Sequence, residues 1–186
     1  MVSLGELWLP ILVSAVLVFL VSAIIHMVLK YHNSDYTRLP NEEAVRAAFR
    51  AGDPAPAQYV IPYCPEMKEM EKPEMKQKYM EGPVAVVNVM RPGLPNMGKY
   101  LTQWFVFILV VSLFLAYVAA HALPRGSAYL QVFRIVGAAG FLAYGMGQFS
   151  SAIWMGKPWR VAVNEAFDGL VYGLVTAGTF GWLWPR

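Results

Sequence analysis

Residues 7–29 (LWLPILVSAVLVFLVSAIIHMVL) carry no formal charge. As a helix rising 1.5 Å per residue, this run is about 35 Å long, enough for a hydrocarbon core of roughly 30 Å. Such a segment is either kept in a bilayer or removed as a signal peptide. A signal peptide has a basic start, a shorter apolar core and a small-residue cleavage site. Here the only early charge is Glu6, and the run ends in His-Met-Val-Leu-Lys. The segment is therefore expected to remain as a membrane anchor.

The charges show how the rest of the chain is divided. Of 186 residues, 57% are hydrophobic and only 15% charged, against roughly 25% charged in a soluble domain. Residues 30–99 hold 19 of the 27 charges, ten basic and nine acidic. The remaining 116 residues hold eight: Glu6, Arg125, Arg134, Lys157, Arg160, Glu165, Asp168 and Arg186. This layout predicts an all-α integral membrane protein with four transmembrane helices and a small α+β cytoplasmic insertion between helices 1 and 2. Residues 1–30 would hold the first span, 31–99 the insertion, and 100–186 a three-helix unit with spans at 100–123, 128–153 and 161–185. The short connections Pro-Arg-Gly-Ser and Met-Gly-Lys-Pro-Trp-Arg make those three helices antiparallel neighbours.

Basic residues beside the spans set the expected orientation. Lys30, Lys99, Lys157 and Arg160 fall on one side, and Arg125 and Arg186 on the other. That places the insertion in the cytoplasm and both termini outside, in the inner (cytoplasmic) membrane. The lipid bilayer is the first partner, with another membrane protein or a second copy as further ones. A net charge of +3 is too weak and scattered for a nucleic-acid partner. One cysteine, Cys64, excludes an internal disulfide and any cysteine-only metal site. No cofactor is expected.

The insertion is patterned. Asn41 is placed to cap a helix that Glu42 and Glu43 open and Gly52 stops. Gln58–Pro62 and Val84–Met90 read as strands, and residues 65–81 as a helix broken before Pro73. Two helices and two strands over so short a stretch give a marginal core, so the insertion is expected to lean on a membrane surface or a partner. Cys64, Met67 and Met70 are the only metal candidates. Their soft donors suit Cu(I), and three-residue spacing would put them on one helix face. The alternating Lys and Glu residues favour the plainer reading of an amphipathic helix with a methionine face.

Ionisable groups inside spans are functional suspects. His26, Glu165 and Asp168 lie toward the cytoplasmic end. His26 and Asp168 are the one pair able to handle a proton or a polar substrate, though acids opening a helix also simply complement its dipole. Glu6 and Arg134 lie toward the outer end, where Arg134 either snorkels or pairs with Glu6 across helices. A haem between histidines is excluded, since His26 and His121 sit near opposite leaflets and six-residue spacing puts His26 and His32 on different helix faces. No nucleophile–base set, phosphate loop or zinc signature is present, which leans against an enzyme. Gly169, Gly173, Ala177 and Gly181 form a ridge of small residues along span four. Ala139, Ala143 and Gly147 offer a matching groove on span three, and a second copy is the alternative partner. Trp154, Trp159, Trp182 and Trp184 read as interfacial anchors.

Residues 22–32 (SAIIHMVLKYH), 82–90 (GPVAVVNVM) and 167–185 (FDGLVYGLVTAGTFGWLWP) resemble a group of small bacterial multi-pass inner-membrane proteins of unknown function. The resemblance runs nearly end to end and implies no activity, cofactor or catalytic residue. Three functions remain open. The first is a structural or accessory protein that binds a partner. The second is a small transporter or channel subunit with His26 and Asp168 at its cytoplasmic mouth. The third is a Cu(I)-handling protein using Cys64, Met67 and Met70.

Overall fold

The computed structural model describes residues 2–186. The chain forms two compact units. One comprises the N-terminal segment through Tyr36 together with Asn96–Arg186, and the other is Thr37–Pro95.

The first unit is a helical bundle. Helix α1 spans Trp8–Met27, and a 3-10 turn at Lys30–Ser34 follows it. The second unit supplies α2 (Glu42–Gly52), β1 (Gln58–Ile61), α3 (Pro73–Glu81) and β2 (Ala85–Asn88). The bundle resumes with α4 (Met97–Ala122), α5 (Tyr129–Phe141), a π turn at Leu142–Met146, α6 (Gly147–Met155) and α7 (Trp159–Trp182). Helix α1 packs on α4 and α7, and α5 packs on α4 and, most extensively, on α7.

Among the described residues, three helices are long and apolar enough to cross a membrane: Leu4–Met27, Met97–Ala122 and Tyr129–Met155. Helix α7 is long enough, about 36 Å for 24 residues, but it is not one of the three. It carries Asn164, Glu165 and Asp168 in its first half. It also buries one side from Val161 through Phe180, including Asp168, Thr176 and Thr179. Its buried polar groups, Asp168, Thr176 and Thr179, face other helices.

The small-residue ridge of α7 meets the α5–α6 helix of the same chain. A Cβ added at Gly169 would lie 2.4 Å from the Gly145 Cα, and one at Gly173 would lie 2.9 Å from the Phe141 backbone nitrogen. Gly181 lies against the Tyr129 ring, and Ala177 against Gly137. The complementary groove is Gly137, Gly140 and Gly145, which corrects the expected Ala139, Ala143 and Gly147. A Cβ at Gly147 would meet nothing within 4 Å. The π turn, whose wider winding shifts the helix face between Phe141 and Gly147, carries the contact from Gly140 to Gly145, past Ala143 and Gly147; Ala139 precedes it, on a different phase from Gly137 and Gly140.

The end of the bundle holding both chain termini is tied by polar contacts. Glu6 pairs with Arg125, the Gly126 N–H donates to the Pro185 carbonyl at 2.9 Å, and the Trp184 indole N–H donates to the Pro124 carbonyl at 3.1 Å. This corrects two expectations. Arg125 takes Glu6, because the tight Pro-Arg-Gly-Ser connection holds it beside the chain ends. Arg134 points outward from α5 and has no ion-pair partner among the described residues. Trp184 is buried, whereas Trp182, Trp154 and Trp159 are exposed as anchors would be.

In the second unit, β1 and β2 pair antiparallel from Gln58↔Asn88 to Ile61↔Ala85. Proline 73 opens α3, where its missing N–H costs nothing. Asn41 precedes α2 without a side-chain cap, and the left-handed residue that ends α2 is Asp53 (φ 42°), not Gly52. Residues 37–95 contain no buried side chain. Cys64 lies in a loop, while Met67 and Met70 belong to a separate 3-10 turn, Met67–Glu71. The three do not share a helix face, and Met67 is 83% exposed.

Candidate functional site

Asp168 sits in the third turn of α7, on the side that α7 turns toward its neighbours, and is only 3% exposed. A carboxylate there must find partners. They come from just beyond the end of α1. Leu29 is extended (φ −82°, ψ 121°), which breaks the helix and lets Lys30–Ser34 turn back. Tyr31 then donates its hydroxyl proton to Asp168 Oδ1. His32 Nε2 lies 2.8 Å from Asp168 Oδ2, and His26 Nε2 lies 3.8 Å from the same oxygen.

The expected His26–Asp168 neighbourhood is therefore present, but His32 makes the shorter contact. The placement of His26 and His32 on different faces is corrected. Their rings stack with centroids 4.8 Å apart and planes 8° from parallel. Six-residue spacing separates residues only along an unbroken helix, and α1 ends at Met27.

Asp35 forms the outer part of the cluster, with a side chain only 2% exposed. Its Oδ2 faces His32 Nδ1 at 2.7 Å, its Oδ1 accepts from Asn164 Nδ2 at 3.1 Å, and Arg160 approaches that same Oδ1 at 3.5 Å. Arg160 also donates to Ser34. Burial of the His32 ring opposes its charged form. The Asp35 hydrogen bond and the Asp168 charge outweigh that, and the His32 pKa is raised. Burial, then the Asp168 contact, push the Tyr31 hydroxyl upward and keep it a proton donor. Glu165 takes a separate partner, Lys157, which also reaches Gln148 at 3.3 Å.

A groove of about 1010 Å³ opens beside this cluster. Its walls come from α1, α4, the π turn with α6, and α7. Phe19, Trp104, Phe107 and Tyr172 make it mainly apolar and aromatic, and His26, Glu165 and Asp168 supply its polar part. Tyr144 and Tyr172 stand in its wall with buried hydroxyls; that of Tyr144 lies near Ser112 and Thr176, and that of Tyr172 has no hydrogen-bond partner among the described residues. The groove is confined to one half of the bundle. The other half is filled by Leu7, Ala15, Val18, Ile108, Val132 and Phe180.

His26, His32 and Asp168 are also the residues that can hold a metal ion, with donor atoms all within 4.8 Å of one another. Cys64, in a loop, and Met67 and Met70, in a 3-10 turn, lie in the separate 37–95 unit. Sequence reasoning missed Tyr31, His32 and Asp35 as site residues and took Lys157 and Arg160 only as orientation signals. The usable signal was the polar run Tyr31-His-Asn-Ser-Asp35 directly after an apolar span. The arrangement can bind a cation, orient a polar group or pass a proton, and it contains no activated nucleophile. Comparison of the chain with protein-family models, curated proteins and solved structures gave no match.

Proposed function

We propose that this protein is a small multi-pass membrane protein that binds an amphipathic molecule from one end of its helical bundle, as a transporter subunit or carrier. The observation that carries the reading is the groove of about 1010 Å³ whose apolar walls end at His26, Glu165 and Asp168. Sites for small molecules are mostly apolar clefts of this size with a few convergent polar groups. The hydrocarbon or ring part of the molecule would lie against Phe19, Trp104 and Phe107, with its polar head at His26 and Asp168. The filled opposite half of the bundle favours a one-ended binding site over a continuous pore. In this reading α7 is the fourth span, and the lysines and arginines at the groove end face the cytoplasm.

The test uses a brominated fatty acid as quencher of Trp104, which lines the groove. The emission lost in Trp104→Phe should be quenched saturably in the wild type. Ala143→Trp, which fills the groove wall, should abolish that saturation. Quenching that rises linearly with probe and ignores Ala143→Trp would refute the proposal.

A second reading applies to residues 37–95. A segment with helices and paired strands but no buried side chain fits the expectation of a partner, and we propose it as a protein-binding insertion. Cu(I) handling by Cys64, Met67 and Met70 gains no support.

A further inference from the structure

A hydrogen bond fixes the tautomer of His26: its Nδ1 lies 2.9 Å from the Ser22 carbonyl oxygen, which can only accept, so Nδ1 carries the proton and Nε2 of the neutral ring is a bare lone pair. His32 has a carboxylate at each ring nitrogen, Asp35 at 2.7 Å from Nδ1 and Asp168 at 2.8 Å from Nε2. A neutral His32 ring that gives its one proton to Asp35 also presents a lone pair at Nε2. Both Nε2 atoms face Asp168 Oδ2, at 3.8 and 2.8 Å. The other Asp168 oxygen is already taken by Tyr31. Three electron-pair donors thus converge where a positive charge is required. A single proton on His32 would serve His32 and Asp168 and leave His26 without a role.

The surroundings match those of a metal centre. Metal-binding histidines donate their second N–H to a carboxylate or a backbone carbonyl, and ligating carboxylates are themselves hydrogen-bonded. Here His32 has Asp35, His26 has the Ser22 carbonyl, and Asp168 has Tyr31. Asp35 is in turn held by Asn164 and Arg160. Donors about 2.0–2.2 Å from one ion sit roughly 3–3.5 Å apart, and the two observed separations bracket that range. The near-parallel rings mean that the half-exposed His26 tilts as it joins an ion.

We propose that His26, His32 and Asp168 bind one divalent first-row transition metal ion, of the zinc class, with Asp35 and Tyr31 orienting the ligands. Two imidazoles and one carboxylate suit such ions and are poor for calcium or magnesium. His26 and Asp168 also line the groove, so a bound ion would border the ligand space and could take a donor atom from the ligand's head. The proposal deepens the reading of this site, but it needs no organic ligand, so metal binding and groove binding can fail separately.

The test adds Co²⁺ alone to chelator-stripped, tag-free, full-length protein in detergent. The wild type should keep about one Co²⁺ per chain through desalting and show visible d–d absorption, both lost when Zn²⁺ is added in competition. His32→Gln and Asp168→Asn should lose the absorption. Asp35→Asn should weaken binding roughly 10–100-fold, as expected for an outer-shell partner. Cys64→Ser should bind like the wild type. If a buried variant fails to fold, His26→Gln, with its half-exposed ring, carries the comparison and should also lose the absorption. No retained Co²⁺, or equal retention by the ligand variants, would overturn the proposal and leave a proton as the sole cation of the cluster.

Discussion

At the scale of single residues, the three acidic groups of the bundle's helical ends each take a particular partner. Glu6 selects Arg125, Glu165 selects Lys157, and Asp168 selects Tyr31 and His32. None of these pairs follows from spacing, since each partner is set by how a connecting turn returns to the bundle. The Glu6–Arg125 pair can be tested by a double-mutant cycle on thermal stability in detergent. Glu6→Gln and Arg125→Gln should be non-additive at low salt, and the coupling should shrink as salt rises, because both side chains are partly exposed. Glu6→Gln and Arg134→Leu should simply add. Coupling of Glu6 to Arg134 instead would contradict the observed pairing.

At the scale of elements, the α5–α7 contact is a backbone-to-backbone approach that admits no side chain where Gly169 meets Gly145. Gly169→Ala must push a methyl into the Gly145 backbone, and overpacking of this kind costs typically 1–3 kcal/mol. The melting temperature in detergent should fall clearly. Gly147→Ala, with nothing within 4 Å of the new methyl, should leave it unchanged or raise it, since alanine is the better helix former. If both substitutions behaved alike, the glycines would be incidental to packing. The ridge on α7 was legible in the sequence because four-residue spacing holds along an unbroken helix. The groove on the facing helix was not, because the π turn changes the phase in mid-helix, and composition does not announce a π turn. The same limit applied where α1 ends at Met27.

At the scale of the whole molecule, the apolar and charged stretches were legible throughout. The boundaries of the observed helices depart from the expected spans by only a few residues, and both strands and the break before Pro73 lie where expected. The orientation proposed from lysines and arginines has a direct check in Cys64, the one cysteine. In intact cells expressing the protein, a membrane-impermeant maleimide should leave Cys64 unlabelled, and permeabilised cells should be labelled. Labelling of intact cells would reverse the proposed topology and put the His26–Asp168 end of the bundle outside.

The sequence by itself determined which stretches could cross a membrane, because transfer from water to hydrocarbon depends on local composition summed over a helix. It also marked His26 and Asp168 as suspects, since polar groups are expensive there. Only the tertiary structure decided what surrounds them. It bent the chain after Met27 to bring Tyr31 and His32 onto the Asp168 carboxylate of α7 and Asp35 onto Asn164 of the same helix, residues more than a hundred positions apart in sequence. It also left a groove between helices where side chains do not fill the bundle. Convergence of this kind depends on where helices end and how they pack, and neither quantity is a sum over neighbouring residues.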